Sequence, residues 1–427
     1  MDKALSTHAP PADILAQIFE TVIEDYENPR VISVGTTTVH EKFKQATRLS
    51  SVSRAWRFAA LDTPWLWNSI SISLHWEFVG LLEYWTRTMN RVKGVPVYLL
   101  IYSICSASRV QLEKLDGSTM RIRQMSLHFR HPGDVELYPE SWRGYDIGTL
   151  KVAIDRQYAG RQGPHPPDET LKCSGFFGTA HTFDIRSEKR SPIDFPSGTI
   201  MHLLHLSLYK VLRLDTAHVF RLFPRLQNLQ IAQSSFLLPL AEVEYAAELR
   251  ALELQDNGDS EWMLKMRFSK LRELTFNDCT FSEFGSFLDA HPTLEMIAIK
   301  MYWDHDLGTI AMHAGQVTTL HLLLNFSLPW ADALIAPGAF PVLKKLGIFE
   351  WNGQITPRML DAVIKARCLP LGHPQSTTNK STDIVEEFFV QVMSQNDCGE
   401  SELYNQADKR ITQELYRRRI YLTWPVK

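Results

Sequence analysis

The motif L-x-x-L-x-L returns seven times in this chain, with its first position at Leu203, Leu226, Leu249, Leu271, Leu294, Val317 and Leu343. The steps between those positions are 23, 23, 22, 23, 23 and 26 residues. A period of this length restricts the fold severely, because one unit is too short to bury its own apolar side chains and must share a core with its neighbours. Within each unit the apolar residues two apart fall on one side of a strand. Seven strands stacked in chain order are expected. Ala180, Phe183 and Ile185 continue the step of 23 backwards, while Ile147, Leu150, Val152 and Ile122, Met125, Leu127 read as earlier, irregular turns. Val97 to Ile101 reads as the first strand.

The motif and its period resemble those of leucine-rich repeats, whose full unit continues x-x-N/C-x-L. Leu271, Leu274, Phe276, Cys279 and Phe281 fit throughout, and Asn257 and Asn325 occupy the Asn/Cys position. A small polar side chain is favoured there because it turns inward and bonds backbone groups at the bend after the strand. Val211, Tyr302 and Trp351 depart from the pattern, so the repeats are degenerate and uneven curvature is expected. Pro224, Pro292 and Pro341 each stand two residues before a motif and end the connecting segments, of which Ala217 to Phe223 and Ser282 to Ala290 have helical or loop character. Asp155 to Thr170 reads as an exposed insertion and Leu371 to Thr382 as a loop. Asp383 to Met393 and Ser401 to Arg419 read as helices that cover the open end of the array.

Ahead of the repeats lies a different pattern. Pro10 and Pro11 open a helix, with Asp13 placed where the helix dipole favours a negative charge. Ile14, Leu15, Ile18, Phe19, Val22 and Ile23 then draw a wide apolar stripe along it. Glu24 to Ala46 reads as a loop, and a second helix is expected from Thr47 to Ala60, ended by Asp62, Thr63 and Pro64. So short a helical unit carries more apolar side chain than it can cover.

The stretches Pro10, Pro11, Ala12, Asp13, Ile14, Leu15, then Val52, Ser53, Arg54, Ala55, Trp56, Arg57, and finally Pro64, Trp65, Leu66, Trp67 resemble the F-box, closest to fungal F-box-like proteins. That resemblance covers about the first 70 residues, and it departs from the family at Pro10, where leucine is usual, and in its longer loop. It implies a Skp-type adaptor bound at Pro11, Ile14, Leu15 and Ile18, a cullin held through that adaptor, and a protein substrate held elsewhere on the chain. The bland alternative is that these helices only cap the repeats.

The expected architecture is therefore α/β: a small all-α F-box-like domain at 8–70, a leucine-rich-repeat-type solenoid at 71–367, irregular before 180 and regular over 180–353, and a helical cap at 383–427. Strand alternation sends Leu252 and Leu254 to the core, so Ala251, Glu253 and Gln255 face outward. The same register selects Glu273, Thr275, Asn277, then Met296, Ala298, Lys300, then Thr319, His321, Leu323, with Lys345 and Phe349 beyond. Glu253, Gln255, Glu273, Thr275, Asn277, Met296, Lys300, His321 and Leu323 are the expected target-binding residues.

Other classes of function find little support in the sequence. A net charge of -3 offers no general attraction for nucleic acid or anionic membrane. Cys105, Cys173, Cys279, Cys368 and Cys398 are scattered without paired spacing, which suggests neither a disulfide framework nor a zinc site. The longest apolar run, Val95 to Cys105, falls short of the about 18 residues that span a bilayer, and no signal-like core opens the chain, so an intracellular location is expected. No nucleophile elbow, phosphate-binding glycine loop, cofactor motif or metal-ligand spacing is present, and Asp304, His305 and Asp306 are too close in sequence to converge on one ion. A substrate receptor of a ubiquitin ligase and a non-catalytic scaffold or inhibitor acting without any ligase are the two readings that remain.

Overall fold

The computed structural model describes residues 10–27, 36–74, 78–115, 120–139, 141–142, 145–154, 170–173, 175–176, 180–237, 244–257, 260–277, 283–301, 307–324, 330–350, 357–367, 385–392 and 420–423. The chain divides into two compact units, Met1–Leu212 and Arg213–Lys427.

The first unit opens with helices α1 (Ala12–Glu27), α2 (Thr36–Ser51) and α3 (Arg54–Leu61), followed by strand β1 (Ser69–Ser73), α4 (Phe78–Val92), β2 (Val97–Ile104) and α5 (Arg109–Lys114). Then come β3 (Ile122–Phe129), β4 (Ile147–Ile154), β5 (Leu171–Lys172), β6 (Thr182–Ser191), β7 (Ile193–Asp194) and β8 (His205–Val211). β1, β2, β3, β4, β6 and β8 pair in parallel in that order, and β5 with β7 makes a small separate pair.

The second unit holds α6 (Thr216–Leu222), β9 (Asn228–Ala232), β10 (Glu244–Tyr245), β11 (Ala251–Gln255), β12 (Met266–Arg267), β13 (Glu273–Asn277), α7 (Phe284–Ala290) and β14 (Met296–Met301). After these come α8 (Leu307–His313), β15 (Thr319–Leu324), α9 (Trp330–Ile335), β16 (Lys345–Glu350), α10 (Pro357–Arg367), β17 (Glu387–Val392) and β18 (Ile420–Thr423). All strands but β10 and β12, which pair together, form one parallel ladder in chain order.

All seven L-x-x-L-x-L segments are strands, and their motif side chains are almost fully buried, from Leu203, Leu206 and Leu208 through Leu343, Leu346 and Ile348. Bonds one period long hold neighbouring units together. The amides of Arg250 and Ala251 both donate to the Gln227 carbonyl, those of Glu295 and Met296 to Arg272, and those of Lys344 and Lys345 to Thr318. Asn257, 3% exposed, accepts from the Ser234 amide at 2.8 Å and donates to the Ile231 carbonyl at 2.8 Å, the inward role expected of its position. His291, 2% exposed, accepts from the Phe268 amide at 3.2 Å through Nε2 and is bonded at Nδ1 to the Phe287 carbonyl at 2.7 Å. Those two partners fix a neutral ring with its proton on Nδ1.

The α/β class holds, but the finer architecture expected from sequence is overturned by a parallel sheet with helices that begins in the first unit. No separate all-α domain precedes a solenoid. α2 packs along β1 and β2, and Lys42 of α2 lies 5.4 Å from the Tyr98 ring of β2. β1 is buried on both faces, its Ile70 and Ile72 as fully as its Ser69, Ser71 and Ser73. Trp67 donates to the Ala60 carbonyl at 2.7 Å while the Arg91 guanidinium of α4 covers its ring at 4.5 Å, so one indole ties α3 to α4. Its side chain belongs to a core shared by helices and strands.

Three local expectations change with it. The loop foreseen from Glu24 to Ala46 contains most of α2. The helix foreseen from Thr47 to Ala60 breaks at Val52 and Ser53, where the Ser53 hydroxyl caps α3 by accepting from the Trp56 amide at 3.2 Å. The helix foreseen from Asp383 to Met393 is replaced by strand β17, whose Phe388 and Val390 pair in register with Leu346 and Ile348 of β16. Ile384, Val385, Phe388, Phe389 and Val392 have helical spacing, but the open edge of the ladder offers hydrogen bonds and a core that an isolated helix lacks. β18 extends the same edge. The stretch 401–419, the insertion at 155–169, the loop at 371–382, and Cys279, Tyr302, Asp304 to Asp306, Asn325 and Trp351 lie outside the described residues.

Asn257→Ala should cost about 1–3 kcal/mol, because it strips partners from a buried amide and a buried carbonyl. Chemical denaturation checks this, and an unchanged midpoint would contradict the inter-repeat role. Burial holds the imidazoles of His291, His321, His202 and His205 below their ordinary value of 6.5. The unfolded chain therefore binds protons that the folded chain refuses, and stability present above pH 6.5 is lost as pH falls below it. Melting temperature measured between about pH 7.5 and 5.5 should drop, with a shallower drop in His291→Gln.

Candidate interaction surfaces

In the first unit α1 is apolar on two sides. Leu15 and Phe19, at 1% and 0% exposed, form the inner side, and the Phe19 ring meets Trp56 of α3 edge-on at 5.4 Å. Pro11 is exposed at the helix start, and Ile14 and Ile18 remain 42% and 36% exposed one turn apart on the outer side. The four residues singled out from sequence are thus divided: Pro11, Ile14 and Ile18 face solvent, and Leu15 belongs to the core. Val52 and Phe58, 61% and 71% exposed on either side of the α3 cap, add two apolar side chains that the sequence reading did not place at the surface. Val52 stands at the break that divides the helix expected from Thr47 to Ala60. Four of the eleven large apolar side chains exposed among the described residues lie between Ile14 and Phe58. Single exposed apolar residues are ordinary, and only a contiguous group of them marks an interaction surface.

In the second unit the ladder sorts side chains by alternation. Leu252, Leu254, Leu274, Phe276, Ile297, Ile299, Leu320 and Leu322 are buried, and Phe276 meets Phe284 of α7 at 5.5 Å on the helix side. The alternate residues form three rows on the other face. One runs Ala251, Glu273, Met296, Thr319, Lys345, and the middle one runs Glu253, Thr275, Ala298, His321, Gly347. The third runs Gln255, Asn277, Lys300, Leu323, Phe349. All nine residues expected at the target surface therefore hold register positions on one sheet face.

Charge on this face is distributed unevenly. Lys345 is spent on Glu387 at 3.0 Å, and Lys344 and Arg272 are paired with Glu386 and Glu295. Among the described residues Glu253 and Glu273 take part in no ion pair, so β11 and β13 present uncompensated carboxylates. The middle row is low where Ala298 and Gly347, both buried, flank His321. The His321 ring meets Phe349 edge-on at 5.8 Å, and burial lowers its pKa, so it presents a neutral imidazole near pH 7.

Among the described residues no group of three or more His, Cys, Asp or Glu side chains is arranged to hold a metal, and no helix is long and apolar enough to cross a membrane. Cys173 is buried, which pushes its thiol pKa far up, and Cys105 sits beside Ser108 in a turn. No protein-family model and no curated protein matches the chain.

Proposed function

We propose that the chain is a substrate receptor of an SCF-type ubiquitin ligase: the outer side of α1 docks a Skp-type adaptor, and through it a cullin, while the sheet face of the second unit holds a target protein. The observation that carries this reading is the division of α1. Its inner apolar side meets Trp56 and the core through Leu15 and Phe19, while Ile14 and Ile18 keep 42% and 36% of their surface open to a partner. Pro11 at the start of the same helix is exposed as well. The resemblance of the same segments to the F-box supports the identity of that partner.

Because interface energy concentrates in a few apolar anchors, Ile14→Ser with Ile18→Ser should cost at least about 2 kcal/mol of adaptor binding, roughly 30-fold in affinity. Both side chains are exposed, so melting temperature should hardly change. Adaptor and cullin capture from a reconstituted mixture measures this directly. If the folded double variant binds the adaptor as well as the parent chain, the receptor reading fails and a ligase-independent scaffold takes its place.

A further inference from the structure

From the break between α2 and α3 in the first unit we infer a modification site: Ser51 is phosphorylated by an arginine-directed protein kinase, and Arg48 and Arg57 hold the phosphate once it is attached. The inference does not depend on the receptor reading.

Charge and exposure define the site. From Lys42 to Leu61 the chain carries Lys42, Lys44, Arg48, Arg54 and Arg57 and no Asp or Glu. The next carboxylate along the chain, Asp62, is paired with Lys93 at 3.5 Å. Ser51, Val52, Ser53 and Arg54 are exposed in succession, and Arg48 and Arg57 are exposed beside them. The Arg57 side chain is already drawn to the turn, because its Nε donates at 3.3 Å to the Ser50 carbonyl, which belongs to the same peptide group as the Ser51 amide. Arg48 stands three residues before Ser51, a spacing that makes two side chains neighbours on a helix surface.

The three serines of this turn are not equivalent. Ser50 is half-buried, with its hydroxyl turned back onto the Thr47 carbonyl at 2.8 Å. The Ser53 hydroxyl is engaged as the cap of α3 by the Trp56 amide. Ser51 is the last residue of α2, its hydroxyl donates to the Arg48 carbonyl at 2.7 Å, and the Val52 amide beyond it reaches the Leu49 carbonyl only at 3.4 Å. A helix end held so loosely opens at little cost, as a kinase requires of its acceptor segment. Arginine-directed kinases read a guanidinium three residues before the acceptor. Among the described residues Ser51, Ser126, Thr216 and Thr275 follow an arginine at that spacing. Ser126 and Thr216 are buried, and Thr275 lies inside β13 with a strand paired on each side, so exposure selects Ser51.

In the transfer the γ-phosphoryl group of Mg-ATP forms a bond to the Ser51 Oγ as its bond to the β-phosphate oxygen breaks. ADP leaves, and the hydroxyl proton passes to the catalytic aspartate of the kinase. The product dianion stands at the C-terminal end of α2, where the helix dipole repels it. Charge-assisted bonds from two guanidiniums outweigh that repulsion. The phosphate then ties Arg48 of α2 to Arg57 of α3 across the break at Val52 and Ser53.

Incubating the full chain with Mg-ATP and a purified arginine-directed kinase tests this, with mass spectrometry to locate the phosphate. The expected result is phosphate on Ser51 of the folded chain, with incorporation slowed at least about tenfold in Arg48→Gln. Phosphorus NMR of the modified chain tests the two arginines separately. Guanidinium groups favour the dianion, so the phosphate should titrate at lower pH in the folded chain than in urea, and Arg57→Gln should move it back toward the unfolded value. No phosphate on Ser51, phosphate only on other hydroxyls, an unchanged rate in Arg48→Gln, or one titration midpoint shared by the folded, unfolded and Arg57→Gln chains would each overturn the inference.

Discussion

The bond that the second unit depends on reaches one period back. Each of β11, β13, β14, β15, β16 and β17 begins with two amides donating to the single carbonyl just ahead of the preceding strand, as Arg250 and Ala251 do to Gln227 and as Lys344 and Lys345 do to Thr318. This fixes the register of every pair, and register decides which side chains enter the core. Two buried polar side chains reinforce it away from the ladder. Asn257 joins the bend of its unit to Ser234 and Ile231, and His291 joins the end of α7 to Phe268. A unit without its neighbour would leave these groups unsatisfied in an apolar setting, so the stack forms cooperatively or not at all. The polar face of the ladder is a by-product of the same constraint, because alternation that sends Leu252 and Leu254 inward must send Glu253 outward.

In the first unit the corresponding constraint is the double burial of β1. Here Ser69, Ser71 and Ser73 are covered as completely as Ile70 and Ile72, and the helices α2 and α4 supply partners such as Lys42 over Tyr98 and Arg91 over Trp67. With the helices committed to the sheet on their inner sides, the outer side of α1 and the turn at Val52 are left to solvent. Fold and surface are therefore linked: the residues that hold α1 in place are Leu15 and Phe19, and those that remain for a partner are Ile14 and Ile18.

Much of the strand order was legible because a period of 22 to 26 residues leaves few alternatives, and Asn257 was legible because its position demands a bend-forming amide. The errors arose where local pattern and tertiary context compete. The alternation Ser69, Ile70, Ser71, Ile72, Ser73 is a strand signal directly after the helical segment, and it joins the helices to the sheet. β17 has helical spacing and becomes a strand only because β16 offers a free edge. Leu15 could not be told from Ile14 and Ile18, since a stripe wide enough for two partners does not show which side each one takes. The pairing of Lys345 with Glu387 is not legible in the sequence, because it depends on a strand where the spacing predicts a helix.

Hydrogen exchange of the full chain with and without a Skp-type adaptor tests the central functional claim most directly. The account predicts added protection confined to the α1 and α2–α3 segments, around residues 11–22 and 48–60, with β11 to β16 unchanged. Protection on the strands of the second unit, or none anywhere at saturating adaptor, would contradict it.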